Sequence, residues 1–151
     1  MKYKNIRPAS AADASRIAEM IVVNYRRNFY PFFKNDTFYF GELNVMSVAT
    51  EYSEGSKALK NSYVYDDGVV RGMIRVSGIE IEKLYVEPQF QSNGIGAALL
   101  KFALYELNAS ELWALEYNKR GIAFYERNGF RLTGEKFMED GWIPLLKMMH
   151  L

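Results

Sequence analysis

The period of the apolar positions changes several times along the chain, and each change marks an element. Residues 2–7 read as a short opening strand. Ser10-Ala11-Ala12-Asp13 then reads as a helix start, with Ser10 as N-cap and Asp13 at the positive helix end. Ile17, Met20, Ile21 and Asn24-Tyr25 follow at helical spacing. The aromatic run from Phe29 to Phe40, interrupted by Pro31, predicts a loop leading into a second helix that ends before Gly55. Ser62 to Tyr65 and Val69 to Ile74 are β-rich runs around Asp66-Asp67-Gly68, which predicts a hairpin.

The next strand, Ile79 to Glu87, changes parity. Ile79 and Ile81 are apolar on odd positions, Lys83 breaks the alternation, and Leu84 and Val86 are apolar on even ones. A strand face that switches parity implies a β-bulge, unless both faces of its end are buried. Pro88 ends this strand. A helix from Gly94 to Leu107 is predicted, with Ile95, Leu99, Phe102 and Tyr105 along one stripe. Glu111 to Leu115 reads as a buried strand, and Asn118 caps a short helix through Arg127 that closes at Asn128-Gly129. Phe130 to Lys136 and Trp142 to Met149 are final strands joined through Glu139-Asp140-Gly141. No linker, repeat or low-complexity segment interrupts residues 1–151, so a single domain of mixed α/β (α+β) class is expected.

Composition narrows the chemistry. Nineteen basic residues face eighteen acidic ones, which gives no global field toward nucleic acid or membrane. There is no cysteine, hence no thiolate nucleophile, thiolate metal site or disulfide, and the one histidine is His150. A metal-independent activity is expected. The start Met1-Lys2-Tyr3-Lys4 lacks a signal-type apolar run, and no stretch is long enough to span a bilayer, so a cytoplasmic location is expected.

Gln91-Ser92-Asn93-Gly94-Ile95-Gly96 lies between a strand and an apolar helix. The first N–H groups of a helix lack internal partners and carry partial positive charge, and two glycines leave those donors open to phosphate oxygens. No Gly-Lys-Ser/Thr follows, and Ala97-Ala98-Leu99 fits a dinucleotide fingerprint poorly. Leu84-Tyr85-Val86-Glu87-Pro88 followed by Gln91-x-x-Gly94-x-Gly96-Ala97-x-Leu99-Leu100 resembles the acetyl-coenzyme A signature of the GNAT acetyltransferase superfamily. Asn118-x-x-x-x-Ala123-Phe124-Tyr125-x-x-x-Gly129-Phe130 resembles that family's second block. The two blocks come in the family's order across about residues 79–135, over a third of the chain.

The resemblance implies a mostly antiparallel sheet of six or seven strands, splayed at the fourth strand and flanked by about four helices. It implies acetyl-CoA as cosubstrate. The backbone of Leu84, Tyr85 and Val86 would meet the pantetheine arm, residues Gln91, Ser92, Asn93, Gly94, Ile95 and Gly96 would hold the pyrophosphate, and Asn118 would position the pantetheine.

Acetyl transfer to an amine needs a neutral nucleophile, a polarised carbonyl and a proton for the departing thiolate. Tyr125 is the candidate acid. It lies seven residues, two helical turns, after Asn118, with Ile122 between them and Gly121 as a gap for ligand approach; the alternative is an ordinary packed tyrosine. Glu80 and Glu82 share a strand face and are the candidate bases, Glu80 first because it lies eleven residues before Gln91, where histone-type members of the family keep a glutamate. Both also fit as solvated sheet-face residues. The Phe29–Phe40 cluster with Tyr25 reads as acceptor wall or as core and homodimer surface. The acceptor class stays open between a small-molecule amine and a peptide or protein amine. Two further functions stay open: a non-catalytic acyl-CoA sensor or interaction module of the same fold, and a nucleotide-binding domain using the same loop.

Overall fold

The computed structural model describes residues 3–151. Seven strands form one sheet: β1 (Ile6–Pro8), β2 (Ser62–Asp66), β3 (Val70–Ser77), β4 (Glu80–Val86), β5 (Glu111–Leu115), β6 (Phe130–Glu139) and β7 (Ile143–His150), in the order β1-β2-β3-β4-β5-β7-β6. Every neighbouring pair is antiparallel except β4 and β5, which run parallel. Three helices of two turns or more pack on it: α1 (Ala14–Asn28), α5 (Ile95–Glu106) and α6 (Lys119–Arg127). Between α1 and β2 lie the shorter α2 (Tyr30–Phe33), α3 (Val45–Ala49) and α4 (Lys57–Lys60).

Strand β1 begins at Ile6, after a turn in which the Ile6 N–H donates to the Tyr3 carbonyl at 3.0 Å. Residue 2, the predicted start of that strand, lies outside the described residues. Ser10 does open the first helical segment: its N–H donates to Asp13 Oδ2 at 2.8 Å, and the short turn Ala11–Asp13 runs into α1. Arg7 clamps this corner. It reaches both oxygens of Asp13 at 2.8 and 3.0 Å and Asp66 at 3.0 Å, and holds the Asp13 carboxyl below its usual range.

The aromatic run predicted as a loop is instead helical in pieces. Pro31 lies in the first turn of α2, where its missing N–H costs no hydrogen bond, so it starts a helix rather than interrupting one. Lys34, at φ 49°, closes that turn in the left-handed region. The stripe of α5 also differs from the predicted one. Ile95, Leu99, Leu100 and Ala103 are buried, while Tyr105 is 61% exposed and Phe102 turns sideways onto Tyr63.

Two apolar clusters cover the two faces of the sheet. On one, Leu99, Leu100 and Ala103 of α5 meet Ile74, Val76, Ile81 and Val86. On the other, Ile17, Met20 and Ile21 of α1 meet Val64, Met73, Tyr39 and Tyr52. Each aliphatic side chain sealed in this way contributes roughly 1.5–3 kcal/mol.

The parity switch in β4 is a bulge. Arg75 pairs with Lys83 but Val76 pairs with Ile81, so Glu82 is the extra residue. Strand β4 pairs with β5 only through Glu80↔Glu111 and Ile81↔Leu112. Beyond the bulge it follows β3 to Val86, whereas β5 follows β7 to Leu115. The sheet therefore opens between β4 and β5, toward the C-terminal ends of both strands.

Candidate functional site

A cavity of about 970 Å³ fills this opening. It runs from the glycine loop past β4 and α6 to the β6–β7 turn, and that size is at the upper end of ordinary ligand pockets.

The β4 wall offers unpaired backbone. The Glu87 N–H donates to the Arg71 carbonyl at 3.0 Å, and the register pairs Tyr85 with Met73. Antiparallel bonding alternates, so the polar backbone of Tyr85 faces β3, and that of Leu84 and Val86 faces the opening. The Val86 carbonyl bears this out, since it accepts the side-chain amides of Asn24 at 3.2 Å and Gln91 at 3.0 Å. What β4 leaves open is the Leu84 N–H and carbonyl and the Val86 N–H. Of the three backbones expected to meet the arm, Tyr85 is turned away. Its side chain instead packs on the α1 face, where burial beside Tyr25 and Tyr125 pushes its hydroxyl well above the usual range.

The glycine loop is held from inside. Gln91 donates to the Val86 carbonyl and, at 3.3 Å, to Asn24 Oδ1. Asn24 is 2% exposed and donates in turn to the Met20 and Val86 carbonyls. The Gln91 side chain thus fixes the loop to β4 and α1 and leaves anion contact to the backbone. Ser92 (φ 66°) and Gly94 (φ 85°) are both left-handed around Asn93, which curls successive N–H groups into a concave nest. The space above Gly94 is open. The first α-helical bond runs from Ala98 N–H to the Gly94 carbonyl, so the N–H groups of Ile95, Gly96 and Ala97 remain free of it. Gly96 allows close packing: a Cβ there would meet the Phe124 ring at 3.3 Å. Asn93 folds back on the Phe90 carbonyl at 3.3 Å, and the Ile95 side chain is buried in the core. Arg120 of α6 donates to Ser92 Oγ at 3.1 Å and brings a cation to the nest.

Asn118 caps α6 by accepting the Gly121 N–H on Oδ1 at 3.0 Å, and among the described residues its Nδ2 has no hydrogen-bond partner. The gap expected at Gly121 has a different cause. A Cβ at Gly121 would lie 2.5 Å from Asn118 Nδ2, so the glycine accommodates the capping amide rather than a ligand. Ile122 packs into the core and not into the cleft. Tyr125 lines the cavity, its ring edge-on to Phe124 and Phe130 at 5.3 and 5.8 Å. Its hydroxyl has no hydrogen-bond partner among the described residues, and burial pushes its pKa up to about 12.

The bulge gathers Glu80, Glu82, Lys83 and Tyr85 on the α1 side, because it adds one residue between an apolar odd and an apolar even set. The two carboxylates then part ways. Glu82 is bound by Arg75 Nε at 3.0 Å. Glu80 has no hydrogen bond or ion pair among the described residues, and burial, with Glu82 and Glu111 nearby, pushes its carboxyl up. Asn24, Lys83 and Arg120 join the site beyond the residues anticipated. Asn24 left a trace in the sequence as a polar position on an apolar helical face, and Lys83 as the residue that breaks the alternation of its strand. Among the described residues no cluster of His, Asp and Glu could hold a metal ion, and no helix is long and apolar enough to cross a membrane.

Residues 59–132 match the family described as acetyltransferase (GNAT) domain. An uncharacterized N-acetyltransferase of Methanocaldococcus jannaschii is 37% identical over 73 residues, which are 45% of this chain and 31% of that protein. The chain thus spans about a third of the length of that relative. The peptidyl-lysine N-acetyltransferase YjaB of Escherichia coli is 28% identical over 69 residues, 46% of this chain and 47% of YjaB. The solution structure of apo YjaB superposes with a TM-score of 0.76 at 20% identity, covering 97% of this chain and 96% of YjaB. The PaiA N-acetyltransferase of Thermoplasma acidophilum, in complex with coenzyme A, superposes with a TM-score of 0.66 at 18% identity, covering 94% of this chain and 96% of that one. The three chains share one fold.

Proposed function

We propose that this chain, whose residues 59–132 are a GNAT acetyltransferase domain, moves an acetyl group from acetyl-CoA to a primary amine by direct attack. One observation carries the reading: the unpaired β4 edge, the N–H nest and the unpartnered Tyr125 hydroxyl all line a single cavity. Acetyl-CoA supplies an acyl group already activated as a thioester.

The chain's own groups fit that cosubstrate along its length. The nest at Ser92–Gly96, with Arg120, suits the pyrophosphate. The Leu84 and Val86 backbone groups suit an extended arm that pairs as an added strand, and Asn118 Nδ2 offers one more donor. With its pKa at about 12, Tyr125 keeps its proton on Oη through the neutral and mildly alkaline range. It is therefore a neutral donor able to hydrogen-bond, and then protonate, a sulfur that gains charge.

Glu80 is the base. Burial, with Glu82 and Glu111 nearby, raises its pKa, Lys147 acts in the opposite direction, and among the described residues no cation pairs with it. It stands four residues before Leu84, roughly 13 Å along a strand, so it takes the amine proton through water. Glu82, held by Arg75, serves to fix the bulge.

Measuring free thiol released from acetyl-CoA across a panel of primary amines, including a lysine peptide because YjaB is named for that substrate, tests the reading. Amine-dependent release is expected. Coenzyme A binding with no release from any amine would favour the sensor instead. The Glu80→Gln variant should lose the acidic limb of the kcat/KM profile, a limb that lies above the ordinary glutamate range in the parent because the carboxyl is raised. An unaltered acidic limb would remove Glu80 from the role.

A further inference from the structure

The α1 side of the cavity holds a cation without a counter-charge. Lys83 follows the bulge directly, and its ammonium donates to the Tyr25 hydroxyl and lies over the Tyr25 ring at 4.9 Å. Among the described residues it makes no ion pair, although Glu80 and Glu82 share its strand face. Glu82 is diverted to Arg75, and Arg75 is itself stacked toward Tyr52. Glu80 belongs to the closed end, where β4 still pairs with β5. The other carboxylates lining the cavity are Glu42, Glu139 and Asp140, all exposed. An ammonium has three donors and Tyr25 accepts one. A half-buried lysine with donors to spare, facing a ligand cavity, is equipped to bind an anion carried by the ligand. Arg27, near the end of α1, lines the same cavity and also has no ion pair or hydrogen bond among the described residues.

The same side is bridged. Phe32 and Phe33 of α2 reach across the opening to the far half of the sheet: Phe32 lies 5.2 Å from Tyr117, and Phe33 lies 4.7 Å from Trp142, ring centre to ring centre. An extended polypeptide laid across the opening would have to displace these rings. A compact ligand would not.

We infer that the acceptor is a small amine bearing its own carboxylate, an amino acid rather than an amine within an extended peptide, and that Lys83 pairs with that carboxylate. This rests on the acetyl-transfer reading above. In the step itself the amine nitrogen bonds to the acetyl carbonyl carbon, the carbon–sulfur bond breaks, the thiol leaves with a proton, and the amine gives one up.

The test is kcat/KM for free L-amino acids against their carboxamides and against a lysine peptide blocked at both ends, measured by thiol release. A carboxamide lowers the basicity of an α-amine, so more of it is the neutral nucleophile at neutral pH; a preference for the acid therefore cannot arise from the amine alone. The acids should be favoured by tenfold or more. Lys83→Met should bring the ratio to about one, and Lys83→Arg should restore most of it. Coenzyme A titration confirms that each variant is folded. If acids and carboxamides react alike, if the blocked peptide is used better, or if the ratio survives in Lys83→Met, the inference is overturned while acetyl transfer stands. If no amine of any kind is acetylated, it is the acetyl-transfer reading that fails.

Discussion

The two sides of the cleft are built differently. The α5–α6 side is made of backbone: a bulged strand edge, a nest with two left-handed residues and a capped helix start, all supplied by residues 84–96 and 118–125. The α1–α2 side is made of side chains from segments far apart in the chain: Tyr25, Phe33, Lys83, Tyr117 and Trp142. Backbone geometry recognises what every cosubstrate molecule shares. Side-chain geometry is free to differ, because a substitution there leaves the strand, the nest and the cap intact. On the function proposed above, the backbone side would serve acetyl-CoA and the side-chain side the acceptor.

Three substitutions can break or sharpen that division. The largest effect is expected at the meeting point. Tyr125→Phe removes the hydroxyl proposed to protonate the departing sulfur, so turnover should fall by about 100-fold or more, with coenzyme A affinity within about twofold of the parent. Steady-state kinetics beside calorimetric titration read the two quantities separately; unaltered turnover would reduce Tyr125 to packing.

Next comes Gly94→Ala, at φ 85° with open space above it. Steric fit is not the issue there. The left-handed backbone costs a residue with a Cβ roughly 1–2 kcal/mol, so the nest should relax and coenzyme A affinity drop by about tenfold. Acceptor discrimination, measured at saturating acetyl-CoA, should not change. An undiminished affinity would mean that the nest does not hold the pyrophosphate.

The smallest effect appears only once the cap is removed. In the parent, Gly121→Ala pushes on the Asn118 amide and forfeits a cap, about 1 kcal/mol of stability, against a helix-propensity gain of similar size. In the Asn118→Ala background the clash is gone and only the gain remains, so the same substitution should raise Tm. Equal shifts in both backgrounds would show that the glycine and the cap are independent.

Much of the backbone side was legible in advance. The hairpin at Asp66–Gly68, strand β5, the Asn118 cap and the bulge in β4 each follow from a few consecutive residues whose side-chain period or turn chemistry leaves little choice. At three places the structure differs from the expectation. A proline in a helix interior is a break, but at Pro31 the position of the helix start relative to it is set by how α2 leaves α1. The space beside Gly121 depends on the rotamer of Asn118, which the sequence does not specify. The Tyr85 backbone was counted with Leu84 and Val86 because hydrogen-bond phase depends on the partner strand.

What the sequence determined alone is therefore what local backbone preferences dictate: the elements, the parity break, the nest and the two blocks of residues around the cleft. Only the tertiary structure decided which carboxylate is free and which is bound, since Glu80 and Glu82 differ by whether Arg75, five residues or more away on the neighbouring strand, can reach them. It alone closed Gln91 onto Asn24, left Lys83 without an ion pair among the described residues, and carried Phe33 across to Trp142. The reason is physical. Conformational preferences act between neighbours along the chain, whereas ion pairs and ring contacts depend on where packing brings distant segments together, and no period along the sequence records that.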